Sequence, residues 1–142
     1  MTSLLVRVAC FTAPAPNYTT RQWEPAAPLA RIPHLYFVDT MEGIDRDGRL
    51  VPADFWVDVT PVFELKRAML ACHASQRNWL LRQHGMDEYL ESQSQWSQHR
   101  GSEIGVAHAE VFRQYAGHPY PHDNLLLKML GQDGKGHKID NP

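Results

Sequence analysis

The stretch that most constrains the fold is residues 61–85, PVFELKRAMLACHASQRNWLLRQHG. Val62, Leu65, Met69, Cys72, Gln76 and Leu80 recur at three- and four-residue steps, which predicts one helix with these side chains along a single face. Thr60 is suited to the N-cap, Pro61 to the first helical position where a missing N–H is no loss, and Gly85 to the stop. Glu64 favours the positive end of the helix dipole. Such a stripe is expected to face a core. His73 and Gln76, three apart, interrupt it with an imidazole and a carboxamide on the apolar side, while Ser75 points away from His73.

A chain of 142 residues is expected to form one domain, burying roughly two-thirds of its unfolded surface. Its formal charge of -2 offers no basic patch for a nucleic-acid backbone and no polybasic membrane anchor. Cys10 and Cys72 stand without CxxC spacing, so neither a disulfide framework nor a thiolate zinc site is expected, and a reducing, cytoplasmic setting fits. Arg7 splits the opening apolar run and no basic residue precedes it, which argues against a signal peptide. No segment is long enough to span a bilayer.

Around the central helix the pattern reads as mixed α/β. Residues 2–12 carry Leu4, Leu5, Val8 and Phe11 at helical spacing, closed by Pro14 and Pro16. Residues 14–33 hold five prolines and suit an extended surface segment. HLYFVD (34–39) and FWVDVT (55–60) are strand-like, separated by the polar turn DRDGRL. MDEYLESQSQWSQHRG predicts a second helix, SEIGVAHAEVFRQYA a third, and YPHDNLLLKMLG a short last one capped near Asp123. Residues 131–142 form a polar tail expected to be disordered.

FWVDVT followed by ELKRAMLACHASQ, then RGSEIGVAHAEVFR and YPHDNLL, resembles the C-terminal portion of the LmbE-like, or PIG-L, zinc-dependent N-deacetylases. VACFTAPAPNY is similar to the helix and loop after that family's second metal-binding motif, so the resemblance runs from Leu4 to about Leu130. It implies the C-terminal part of a Rossmann-like α/β fold over residues 1–130, here two short strands and three to four helices, with the site at the carboxyl ends of the strands. It also implies zinc in the complete fold, a hydrolase removing N-acetyl groups from acetylamino sugars or related amides, and a complementing N-terminal half as partner. The family's A-H-P-D-D-E and H-P-D-H type motifs do not occur here. The chain is therefore expected to start after the second of them, to lack metal ligands and general base, and to be inactive alone. His73, Gln76 and Ser75 would then line the pocket wall or hold the metal ligands in place, binding no metal themselves.

Eight histidines invite a search for a local metal site. In HPYPHD, Pro119 and Pro121 prevent the helical turn that would bring His118 and His122 onto one ion. His73 and His84 stand three turns apart, roughly 16 Å by helix rise, too far to share a metal. His34, His99, His108 and His137 have no evident partner in the sequence, and Glu110 with Arg113 three residues on suggests a surface ion pair on a helix. Two other function classes stand beside the deacetylase fragment. One is a noncatalytic module that binds a partner or self-associates through uncovered apolar faces. The other is a small enzyme pairing His73 with Ser75, which helix geometry disfavours because residues two apart diverge.

Overall fold

The architecture comes from a computed structural model, which describes residues 2–16, 26–40, 43–84 and 88–131. It is mixed α/β, with helices α1 (Thr2–Thr12), α2 (Phe63–Ala71), α3 (Ala74–His84), α4 (Glu88–Ser102) and α5 (Leu125–Met129). Strands β1 (Tyr36–Val38), β2 (Phe55–Asp58) and β3 (Ala109–Gln114) form a small antiparallel sheet in the order β1-β3-β2. The described residues divide into two compact units, one of residues before 38 together with 114–131, the other within 38–113. No helix among the described residues is long and apolar enough to cross a membrane.

In the 38–113 unit, β2 and β3 pair in the register Phe55↔Phe112, Trp56↔Val111, Val57↔Glu110 and Asp58↔Ala109. Alternation sends Trp56, Ala109 and Val111 into one buried cluster with Ala53, Ile104 and Val106. Phe55 lies on the opposite face, 2% exposed and stacked on Phe112 with ring centroids 5.6 Å apart. Residues 109–114 are thus a strand, where the sequence predicts a third helix. Ala109 and Val111 are buried while their neighbours are not, a period of two that β2 completes by pairing. The reversal into β3 needs Gly101. A Cβ there would meet the Val106 carbonyl oxygen at 2.6 Å and the His108 nitrogen at 2.8 Å.

The helix expected over 61–85 is two helices. Thr60–Val62 form a 3₁₀ turn, α2 ends at Ala71, and the chain breaks at Cys72 and His73. There the Cys72 and His73 N–H groups bond to the Met69 and Leu70 carbonyls three residues back, and the His73 carbonyl then accepts from Arg77 N–H to open α3. The expected Gly85 stop lies outside the described residues. The buried stripe of α2 is also another one: Phe63 is buried and Lys66 and Leu70 half-buried, whereas Val62, Leu65 and Met69 are 52%, 63% and 64% exposed. Both stripes have helical spacing, and the buried one is that whose Phe63 stacks on His108 and whose Lys66 reaches Glu110 and Ser97.

In the other unit, α1 and the short final helix form as the sequence predicts, with Asn124 rather than Asp123 as the cap, its carboxamide oxygen accepting from Leu127 N–H at 3.1 Å. Leu29 N–H bonds the Ala13 carbonyl at 3.0 Å, tying the extended segment to the end of α1. The remainder of the expected 14–33 segment between residues 17 and 25, and the expected tail beyond Gly131, lie outside the described residues.

Candidate functional site

Among the described residues, a dense polar grouping lies in the 38–113 unit, between β3 and helices α2 and α4. Asp39 follows β1 and is held by three donors: Trp96 Nε1 (2.8 Å), Arg100 Nε (2.8 Å) and Arg100 Nη2 (3.1 Å). Arg100 Nη1 donates to Glu103 Oε1 at 2.8 Å, and Trp56 Nε1 donates to the other Glu103 oxygen. The fork-to-carboxylate geometry is that of a strong charge-assisted pair. Burial opposes the Arg100 charge, but its hydrogen bonds and charges with Asp39 and Glu103 outweigh that cost and raise its pKa above the ordinary guanidinium value. Gly43 lets the chain pass close over this pair. A Cβ there would stand 2.8 Å from Arg100 Nη2 and 3.1 Å from the Trp96 ring.

Beside it, Lys66 Nζ reaches Glu110 Oε1 at 2.6 Å and Ser97 Oγ at 3.1 Å. Glu110 therefore pairs across elements with Lys66, not with Arg113 along a helix, because the segment is a strand. These groups line a cleft of about 210 Å³ whose walls include Asp39, Lys66, Ser97, Arg100, Glu110 and Phe112. Charges of both signs face it, Lys66 paired with Glu110 and Arg100 shared between Asp39 and Glu103.

The strand-to-helix turn is locked to β3. Asp58 Oδ1 accepts from Thr60 N–H at 2.9 Å, and the Thr60 hydroxyl accepts from His108 N–H at 3.0 Å and donates to the His108 carbonyl at 3.3 Å. The hydroxyl expected to cap the following helix is thus spent on the His108 backbone, just before β3. His108 lays its ring on Phe63, centroids 3.6 Å apart, and both its ring nitrogens are buried with no hydrogen-bond partner among the described residues.

A second polar grouping sits in the other unit. His34 Nε2 lies 2.9 Å from Asp123 Oδ1, giving His34 a partner 89 residues away that the sequence did not reveal. The hydrogen bond from His34 holds the Asp123 carboxyl below its ordinary pKa. Tyr36 Oη accepts from Leu126 N–H at 3.1 Å, and Gln114 Nε2 donates to the carbonyls of Pro121 (3.0 Å) and Asp123 (2.9 Å).

His73, Ser75 and Gln76 are exposed at the junction of α2 and α3, with Cys72 exposed beside them, so none faces the buried side that the stripe implied. His118 and His122 are exposed as well. Among the described residues no three His, Cys, Asp or Glu side chains come together to hold a metal ion, so these residues do not fit a zinc centre. The sequence reading missed Asp39, Lys66, Ser97 and Arg100. A signal for Ser97 and Arg100 exists: Leu90, Gln93, Ser97 and Arg100 fall on one stripe of α4, and three of the four are polar. Comparison with family models finds no match, and neither curated proteins nor solved structures give one.

Proposed function

We propose that this chain is the C-terminal part of a metal-dependent N-deacetylase of the LmbE-like type, acting in its complete form on acetylated amino sugars or related amides. The observation that carries the reading is the meeting, within one unit, of sequence pieces some fifty residues apart. FWVDVT pairs with AEVFR strand to strand, and the Thr60 hydroxyl of the first piece bonds both backbone groups of His108 in the second. The H-A-S-Q run opens the helix after α2, close in sequence to that junction. On this reading zinc and general base come from a complementing N-terminal half, and this chain contributes pocket wall, with the exposed His73, Ser75 and Gln76 as the groups that half would cover. Polarisation of the amide carbonyl and activation of water would be the metal's contribution.

The test is acetate release from N-acetylglucosamine in the presence of zinc. The chain alone is expected to release none, and an enzyme reconstituted with a metal-bearing N-terminal half is expected to be active. In that enzyme Gln76→Ala should lower activity by roughly ten- to a hundredfold while leaving it folded. Acetate release by the chain alone, or full activity of the Gln76→Ala enzyme, would overturn the assignment.

A noncatalytic association module is the second reading, favoured by the exposed Val62 just before α2 with Leu65 and Met69 on it, and by Leu4, Leu5, Val8 and Phe11 on α1, which has no buried residue. Light scattering distinguishes it. Concentration-dependent self-association that Leu65→Glu abolishes supports it, and a monomer at all concentrations removes its self-associating form.

A further inference from the structure

Helix α1 is packed inside out. Its sequence, TSLLVRVACFT, carries a single charged side chain, Arg7, and that side faces the rest of its unit. The Arg7 carbonyl accepts from Tyr120 Oη, the Arg7 guanidinium lies 5.3 Å from the centre of the Tyr115 ring, and Arg7 and Cys10, three apart on one side, are half-buried. The apolar side chains point the other way. Leu4, Leu5, Val8 and Phe11 are each more than half exposed, and Val6 is exposed beside them. An amphipathic helix of a globular protein turns such residues toward the core, so this face is built to be covered from outside.

The surface continues past the helix. Leu29 N–H bonds the Ala13 carbonyl at 3.0 Å, which holds the exposed Leu29 side chain at the end of α1, with the exposed Arg31 two residues on. Among its described residues this unit leaves nine large apolar side chains exposed and buries two hydrophobic ones, Leu35 and Tyr120. Its charge is also of one sign. The formal charge of -2 belongs to the chain as a whole, whereas the described residues of this unit set three cations, Arg7, Arg31 and Lys128, against one carboxylate, Asp123, which His34 engages.

We propose that α1, extended by Leu29 and Arg31, docks this unit on the surface of a phospholipid bilayer that contains anionic lipid. The breadth of the apolar face sets the class of occupant. With 3.6 residues to the turn, Leu4, Leu5, Val6, Val8 and Phe11 cover an arc of roughly 220°. A partner helix or groove meets a stripe of about 100°, whereas fluid acyl chains have no fixed shape and close around a wider one. Charge sets the lipid, since anionic headgroups complement the cations of this unit. Length sets the mode: eleven residues make about 16 Å of helix, enough to lie in the interface and too short to cross the hydrocarbon. With one short helix as the apolar anchor, the contact is reversible and sensitive to salt.

The experiment is cosedimentation of the full chain with vesicles of phosphatidylcholine mixed with phosphatidylglycerol, beside vesicles of phosphatidylcholine alone. Saturable binding to the mixed vesicles is expected, weaker on phosphatidylcholine alone and weakened by salt. Val8→Glu, which sets a charge in the middle of the apolar arc, should lower the affinity at least tenfold, and Arg31→Ala about fivefold, the worth of one cation near an anionic surface. Leu65→Glu, in the other unit, should leave binding unchanged. Because α1 has no buried residue, Val8→Glu should fold like the parent chain, which circular dichroism checks. Sedimentation velocity without lipid should give the same state of association for both. No binding to the mixed vesicles, binding equally strong in Val8→Glu, or lipid-free self-association that Val8→Glu abolishes, which would assign the face to a second copy, would each overturn the proposal.

Discussion

Of the ten buried hydrophobic residues among those described, eight belong to the 38–113 unit and two, Leu35 and Tyr120, to the other. The first unit closes a sheet over apolar side chains on both faces and then buries a charged network against it. The second holds its pieces by polar ties. Tyr120 Oη donates to the Arg7 carbonyl, the Arg7 guanidinium lies 5.3 Å from the centre of the Tyr115 ring, and His34, Tyr36 and Gln114 each bond the segment 121–126. Apolar burial is cumulative and insensitive to pH, whereas directional polar ties each contribute little and depend on protonation. The two units should therefore respond differently to the same kind of damage.

The largest effect is expected at Phe55. Phe55→Ala leaves a cavity under Phe112 and should lower stability by about 3 to 5 kcal/mol, read as a shift in the urea midpoint of tryptophan fluorescence. A loss below about 1 kcal/mol would mean the apolar core does not hold this unit, and the contrast would fail. Next comes Arg100→Met, which strands the Asp39 carboxylate and should cost roughly 3 kcal/mol. Adding Asp39→Leu should cost less than the two single losses summed, because the pair acts as one unit.

Smaller effects fall on the polar unit. Asn124→Ala removes the cap of α5 and should cost about 1 kcal/mol, seen as faster amide exchange at Leu127 with exchange in the other unit unchanged. The Asp123 carboxyl is held below its ordinary value of 3.8, so it contributes stability that is fully present above that pH and is lost as pH falls through its lower folded value. Exchange at Leu127 should therefore accelerate in that acidic window, and Asp123→Asn should remove that dependence. The smallest effect is expected at Leu65, 63% exposed, where Ala should change stability by no more than about 0.5 kcal/mol. A cost of 2 kcal/mol or more, the range of a buried leucine, would show that the stripe is covered in solution.

Local rules were enough for several elements. Apolar spacing and the prolines at 14 and 16 place α1, the β-branched and aromatic runs place β1 and β2, and the turn chemistry before Leu125 places α5. They were not enough for residues 109–114, where Ala, Glu, Arg and Gln favour a helix and the partner strand lies more than fifty residues upstream. Nor did they choose between the two stripes of α2. Val62, Leu65 and Met69 satisfy helical spacing as well as Phe63, Lys66 and Leu70 do, so only contacts with distant segments, among them His108, Glu110 and Ser97, pick the buried one.

The same division runs through the polar groups. His73 and Gln76 stood out because they interrupt an apolar pattern, a local signal that cannot tell a buried position from an exposed one, and the break at Cys72 leaves both exposed. Asp39 with Arg100, Lys66 with Glu110, and His34 with Asp123 are partners 61, 44 and 89 residues apart by position in the chain. The sequence by itself determined which segments become helix or strand where spacing and punctuation agree. Tertiary structure decided which face of each helix is buried and which charges meet. Those choices depend on contacts between distant segments, and the residues of one segment alone do not encode them.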